Sequence, residues 1–64
     1  MPEVVVYILV GRSIEQKRGL VKDITDAVVK NAGAPRDAVT VSLVETAKTS
    51  KGKGGVLFSE MAGR

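Results

Sequence analysis

From Glu3 to Leu9 the chain reads Glu-Val-Val-Val-Tyr-Ile-Leu, an almost unbroken apolar run rich in β-branched residues. Such a run predicts a strand buried on both faces. Polar residues take over at Gly11, and Ser13 stands three positions before Gln16, the spacing at which a hydroxyl and an amide cap a first helical turn reciprocally. In the stretch that follows, Leu20, Ile24, Ala27 and Val28 recur at i, i+4, i+7 and i+8 with charges mostly between them, which predicts a helix with one core-facing stripe. Gly19 inside it costs about 1 kcal/mol relative to Ala, so close packing is expected there. Asn31-Ala32-Gly33-Ala34-Pro35 ends the helix near Asn31, with Gly at the cap and Pro beyond. Val39-Thr40-Val41-Ser42-Leu43-Val44 then alternates apolar and polar, a strand with one wetter face. Two strands joined through a helix normally form a right-handed crossover with the strands parallel. The polar segment Glu45–Lys53 turns Gly-rich, and Gly52-Lys53-Gly54-Gly55 precedes the short apolar run Val56-Leu57-Phe58. That tail is expected to form a small strand or hairpin against a neighbouring copy.

Composition sharpens this picture. At 64 residues the chain is a single domain spanning residues 1–64, and a chain so short buries only about 60% of its unfolded surface. The usual staples for such a domain are disulfides, a metal or oligomerisation. There is no Cys and no His, so self-association is the expectation. With Tyr7 and Phe58 the only aromatics, the core must be built from Val, Leu, Ile and Ala. The net charge of +3 suits small anionic ligands. Nucleic-acid modules usually add stacking aromatics or a dense basic stripe, whereas the ten Lys and Arg here are scattered, so no nucleic-acid partner is expected. No apolar run approaches the ~20 residues of a membrane span, and nothing at the N-terminus resembles a signal segment. A cytoplasmic protein without a membrane partner is expected.

The inventory for chemistry is short. Pro2 follows the initiator Met1, and proline is a small second residue from which the initiator is usually removed. Removal would expose a secondary amine. An α-amino group titrates at about 7.7–8.0, and burial or a neighbouring cation lowers that, so the amine can serve as a base or form an iminium with a carbonyl. The plainer reading, that Pro2 only begins an edge strand, stays open on the residues alone. Gly11-Arg12-Ser13 places a guanidinium at the end of the first strand, where sites in open α/β folds lie and where a fork of donors suits a carboxylate. A solvated loop arginine is its bland alternative. Lys48, Lys51 and Lys53 flank glycines, but the phosphate-loop spacing is missing and no nucleotide site is expected. Asp23 and Asp26 read as solvated helix charges, and no residue set has metal-ligand spacing.

Met1-Pro2, Gly11-Arg12-Ser13 followed by Glu15-Gln16-Lys17, Ala34-Pro35, Glu45 and Gly54-Gly55 together resemble the 4-oxalocrotonate tautomerase family over almost the whole chain. The resemblance implies an α/β fold: a β-α-β protomer with a short C-terminal hairpin, pairing into a four-stranded dimer sheet and assembling as a hexamer, a trimer of dimers. It implies that N-terminal Pro2 shuttles a proton in a small unsaturated 2-oxo acid, as in aromatic degradation, using neither metal nor organic cofactor, and that Arg12 engages the substrate's carboxylate. Two positions depart from the family pattern. Thr40 stands where relatives carry a second arginine that polarises the 2-oxo group, and Lys51 stands where they carry an aromatic that dries the pocket. Thr40 offers a hydrogen bond without a charge. Lys51 keeps the amine neutral by like-charge repulsion but wets the pocket, and it, Arg36 or a residue from a different partner chain can stand in for the lost arginine. Beside a homohexameric tautomerase, the alternatives are one chain of a mixed hexamer, a Pro2-dependent hydratase or dehalogenase, and a non-catalytic oligomer that binds an anion or a protein. Against dehalogenation, relatives that dehalogenate haloacrylates use a paired arginine and a glutamate, whereas here Leu9 precedes Val10-Gly11-Arg12 and Lys53 stands near the position expected for the glutamate.

Overall fold

A computed structural model describes residues 2–61; the expected loss of Met1 concerns a residue outside that range. Strands β1 (Glu3–Leu9) and β2 (Thr40–Thr46) lie side by side and parallel, in register from Glu3 opposite Thr40 to Leu9 opposite Thr46. Helix α1 (Ile14–Ala32) connects them. The Ser13 hydroxyl accepts from the Gln16 backbone N–H at 3.1 Å while Gln16 Oε1 accepts from the Ser13 N–H at 2.9 Å, so the expected reciprocal cap forms. The helix runs to Ala32, one residue beyond the expected end, because Gly33 at φ 67° supplies the left-handed cap that other residues adopt only at a cost. Strand β2 starts after Val39, whose N–H closes the 3-10 turn Arg36–Ala38 on the Arg36 carbonyl. It extends past Val44 because Glu45 and Thr46 still find partners in Ile8 and Leu9.

The half-buried positions of the sheet include Val4, Val6 and Ile8 with Val41 and Leu43, which share one side of the period-two pleat. Those of the helix include Leu20, Val21, Ile24 and Val28 around Thr25. Thr25 is buried and its hydroxyl donates to the Val21 carbonyl at 2.8 Å, so the helix face accommodates a polar side chain without an unpaired group. Two expectations are corrected here. Ala27 is exposed, because at 100° per residue it lies about 90° from the axis of the stripe through Val21, Ile24 and Val28. Gly19 is exposed, and a methyl group there would meet nothing within 4 Å, so no close packing explains it within the chain.

Within one chain, β1 is covered on one side only. A single helix can cap one face of a sheet, and on the other face Val5, Tyr7 and Val44 are 46%, 72% and 40% exposed. No hydrophobic residue among those described is fully buried. The chain exposes 4764 Å², against about 3,900 Å² for a compact monomer of its mass. Its radius of gyration of 15.0 Å exceeds the about 10.7 Å of a compact domain of this length. In isolation the fold is half a core.

The expected C-terminal hairpin is present. Strands β3 (Gly52–Lys53) and β4 (Val56–Leu57) pair antiparallel around Gly54 and Gly55 at φ 62° and 85°, two successive positive values that a type I′ turn requires and glycine supplies. Strand β4 packs on the 3-10 turn Lys48–Ser50, which in turn meets the 3-10 turn Phe58–Glu60. Val56 and Leu57 remain exposed.

Candidate active site

Because β1 and β2 are parallel, both begin at the same end of the sheet, and that end brings Pro2 beside Thr40. The Thr40 N–H donates to the Pro2 carbonyl at 3.1 Å, which fixes the residue from which the strand starts. Pro2 is half-buried and Thr40 exposed. Arg12 is carried to the opposite end. After Leu9 the chain turns through Gly11 at φ 122°, and Arg12 Nη1 donates back to the Leu9 carbonyl at 3.0 Å. Seven strand residues separate the two positions, more than about 20 Å at about 3.3 Å each. One chain therefore does not bring Pro2 and Arg12 to the same small molecule.

At the Arg12 end lies an open concavity of about 470 Å³ lined by Leu9, Val10, Gly11, Arg12, Gln16 and Lys48. Gln16 and Lys48 are additions to the candidate residues read from the sequence, where one served as a cap and the other as a discarded phosphate contact. Their convergence follows from register: the Val10 N–H donates to the Thr46 carbonyl at 3.1 Å, so the segments leaving β1 and β2 depart side by side. Lys51 lies in neither cluster as the chain stands. It is half-buried at the start of the hairpin, with its ammonium 5.6 Å from the centroid of the Phe58 ring, within cation–π reach.

Several of the remaining charges pair within the chain. Arg36 hydrogen-bonds Asp26 of the helix, whose other carboxyl oxygen takes Lys22 Nζ at 3.0 Å. The Arg36 hydrogen bond, then that of Lys22, holds the Asp26 carboxyl below its ordinary range. Arg36 thus acts as a clasp between the turn and the helix, and Asp26 is paired rather than merely solvated. Lys17 Nζ meets Glu45 Oε1 at 3.0 Å with both side chains 30% exposed, tying the first turns of the helix to the end of β2. Among the described residues no three or more Asp and Glu side chains are gathered as a metal site, and no helix is long and apolar enough to cross a membrane.

A family model described as tautomerase enzyme matches residues 2–61. A probable tautomerase of Bradyrhizobium diazoefficiens is 47% identical over 62 residues, 97% of this chain and 92% of its own. The 2-hydroxymuconate tautomerase of Pseudomonas putida is 39% identical over 61 residues, 95% and 97% of the two chains. Among solved structures, a 4-oxalocrotonate tautomerase homologue superposes with a TM-score of 0.89 at 38% identity, covering 98% of this chain and 100% of the other. A heterohexameric 4-oxalocrotonate tautomerase of Chloroflexus aurantiacus superposes at 0.87 with 28% identity over 95% and 98%. With the β-α-β unit, the hairpin and Pro2 at the head of the first strand all in place, the chain belongs to the 4-oxalocrotonate tautomerase family.

Proposed function

We propose that Pro2, made N-terminal by removal of Met1, is the general base of a cofactor-independent tautomerase acting on small unsaturated 2-oxo acids of the 2-hydroxymuconate type. The observation that carries this reading is the position of Pro2 at the head of β1, pinned through its carbonyl to Thr40, in a chain whose match to the family begins at that residue. The amine takes a proton from the dienol and returns one to a carbon of the conjugated system, giving the conjugated ketone. Thr40 donates a hydrogen bond to the 2-oxo group. Lys51 is a substrate-binding cation whose like charge also favours the neutral amine.

Arg12 binds a carboxylate of the substrate. Its separation from Pro2 along β1 requires that the arginine come from another copy, so the active unit is an oligomer. The bare face carrying Val5, Tyr7 and Val44 is where other copies complete the core, in the hexamer of paired four-stranded sheets that the family resemblance implies. The charge missing at Thr40 favours one second reading, a mixed hexamer in which a partner chain supplies the arginine.

The test is an ultraviolet assay of the purified chain with 2-hydroxymuconate, with intact mass measured on the same sample. Rapid ketonisation with Met1 absent supports the reading. Pro2→Ala is expected to lower turnover by at least about a hundredfold, the low end for general acid–base catalysis, with the oligomer intact. Unchanged turnover in that variant refutes the role of Pro2. Inactivity of the chain alone, restored by a second tautomerase chain, supports the mixed hexamer.

A further inference from the structure

The concavity at the end of the sheet away from Pro2 has a consistent chemical character. Its polar side chains are Arg12, Gln16 and Lys48, its walls are the aliphatic Leu9 and Val10, and no carboxylate lines it. Gln16 Oε1 is already occupied by the Ser13 N–H, which leaves the amide NH₂ as the group that amide can offer. Arg12 spends one donor on the Leu9 carbonyl and keeps the rest of its fork. Four other cations are paired with carboxylates, Lys17, Arg18, Lys22 and Arg36, while neither Arg12 nor Lys48 has an acidic partner within 4.0 Å among the described residues. Two uncompensated cations and an amide donor thus face one apolar-walled recess.

We infer that Lys48 is a second anion-binding residue, acting with Arg12 on the carboxylate of a dicarboxylic substrate that lies remote from the reacting carbons. The guanidinium supplies directional donors, and the ammonium a mobile point charge from the facing turn, with the aliphatic wall against the substrate's carbon chain. The assignment follows from register, since the ladder bond from Val10 to Thr46 sets the Arg12 and Lys48 segments at one level. Lys51, by contrast, rests its ammonium over Phe58. This inference rests on the proposed function and deepens it by selecting dicarboxylates over monocarboxylates.

The experiment compares Lys48→Ala and Lys48→Arg with the unaltered oligomer on 2-hydroxymuconate and on 2-hydroxypenta-2,4-dienoate, which lacks the remote carboxylate. Lys48→Ala is expected to raise KM for the dicarboxylate about tenfold, equivalent to about 1.4 kcal/mol, with a smaller change in kcat and a much smaller rise in KM for the monocarboxylate. Lys48→Arg is expected to restore most of the loss, and the dicarboxylate KM of the unaltered protein to climb with salt more steeply than that of Lys48→Ala. Equal KM changes on the two substrates, or none on either, overturn the inference while leaving the tautomerase reading intact. If the unaltered protein turns over neither substrate, alone or together with a second tautomerase chain, the tautomerase reading fails by itself, and calorimetric titration with unreactive muconate decides the clamp. Binding weakened in Lys48→Ala sustains it, and binding that is equal in both proteins or absent from both overturns it.

Discussion

Tyr7 is the largest apolar side chain on the bare face of the sheet, and it provides the sharpest test of whether other copies complete this core. A tyrosine presents about 200 Å² for burial, and Tyr7 is 72% exposed, so about 150 Å² awaits cover. At about 25 cal/mol per Å², covering the ring contributes about 4 kcal/mol for each copy. Truncation to alanine is therefore expected to raise the dissociation constant of the contact by several hundredfold to about a thousandfold, and by more where two symmetry-related rings share it. The helix-facing side of the sheet does not involve this ring, so the loss falls on assembly and not on the β-α-β unit. Sedimentation velocity over a range of concentrations measures it, with far-ultraviolet circular dichroism to confirm that α1 persists. The expected outcome is an unaltered oligomer at micromolar concentration and a Tyr7→Ala variant that dissociates there. A variant that sediments as the unaltered protein does, down to nanomolar concentration, would refute the argument that this face is an interface.

Arg12→Ala is expected to raise KM more than it lowers kcat, because the guanidinium is charged throughout the reaction and binds ground and transition states alike; steady-state kinetics with both parameters unchanged would reject its role. Asp26 has its carboxyl lowered by Arg36 and then Lys22, so its contribution to stability is present above the unfolded carboxyl value of about 3.9 and is lost as pH falls through the lower folded value. Asp26→Asn is accordingly expected to lower Tm at neutral pH, with the gap to the unaltered protein closing in acid below about pH 4; a gap that is constant across that range in thermal melts would show that the clasp is not electrostatic.

Much of the local structure was legible because it depends on neighbours in the sequence. The Ser13–Gln16 spacing specified the cap, Gly33 and Pro35 the end of the helix, and Gly54-Gly55 the hairpin turn, each through backbone geometry that a few adjacent residues decide. The residues of the candidate site were legible one by one, Pro2 from its place beside Met1 and Arg12 from its place after the strand, with the family resemblance joining them. Their arrangement was not, since the parallel register alone places Thr40 against Pro2, carries Arg12 to the far end and brings Lys48 alongside it. The same holds for charge pairing: Arg36 and Asp26 are ten residues apart and meet only because the turn before β2 folds back on the helix. The apolar run of β1 predicted burial on both faces, yet the chain owns one helix and can cover one face. Sequence thus determined what each segment becomes, through short-range sterics and hydrogen bonding. Tertiary structure decided which surfaces are left uncovered and which cations share a recess, because those depend on strand register and on the number of layers, and no local pattern encodes either.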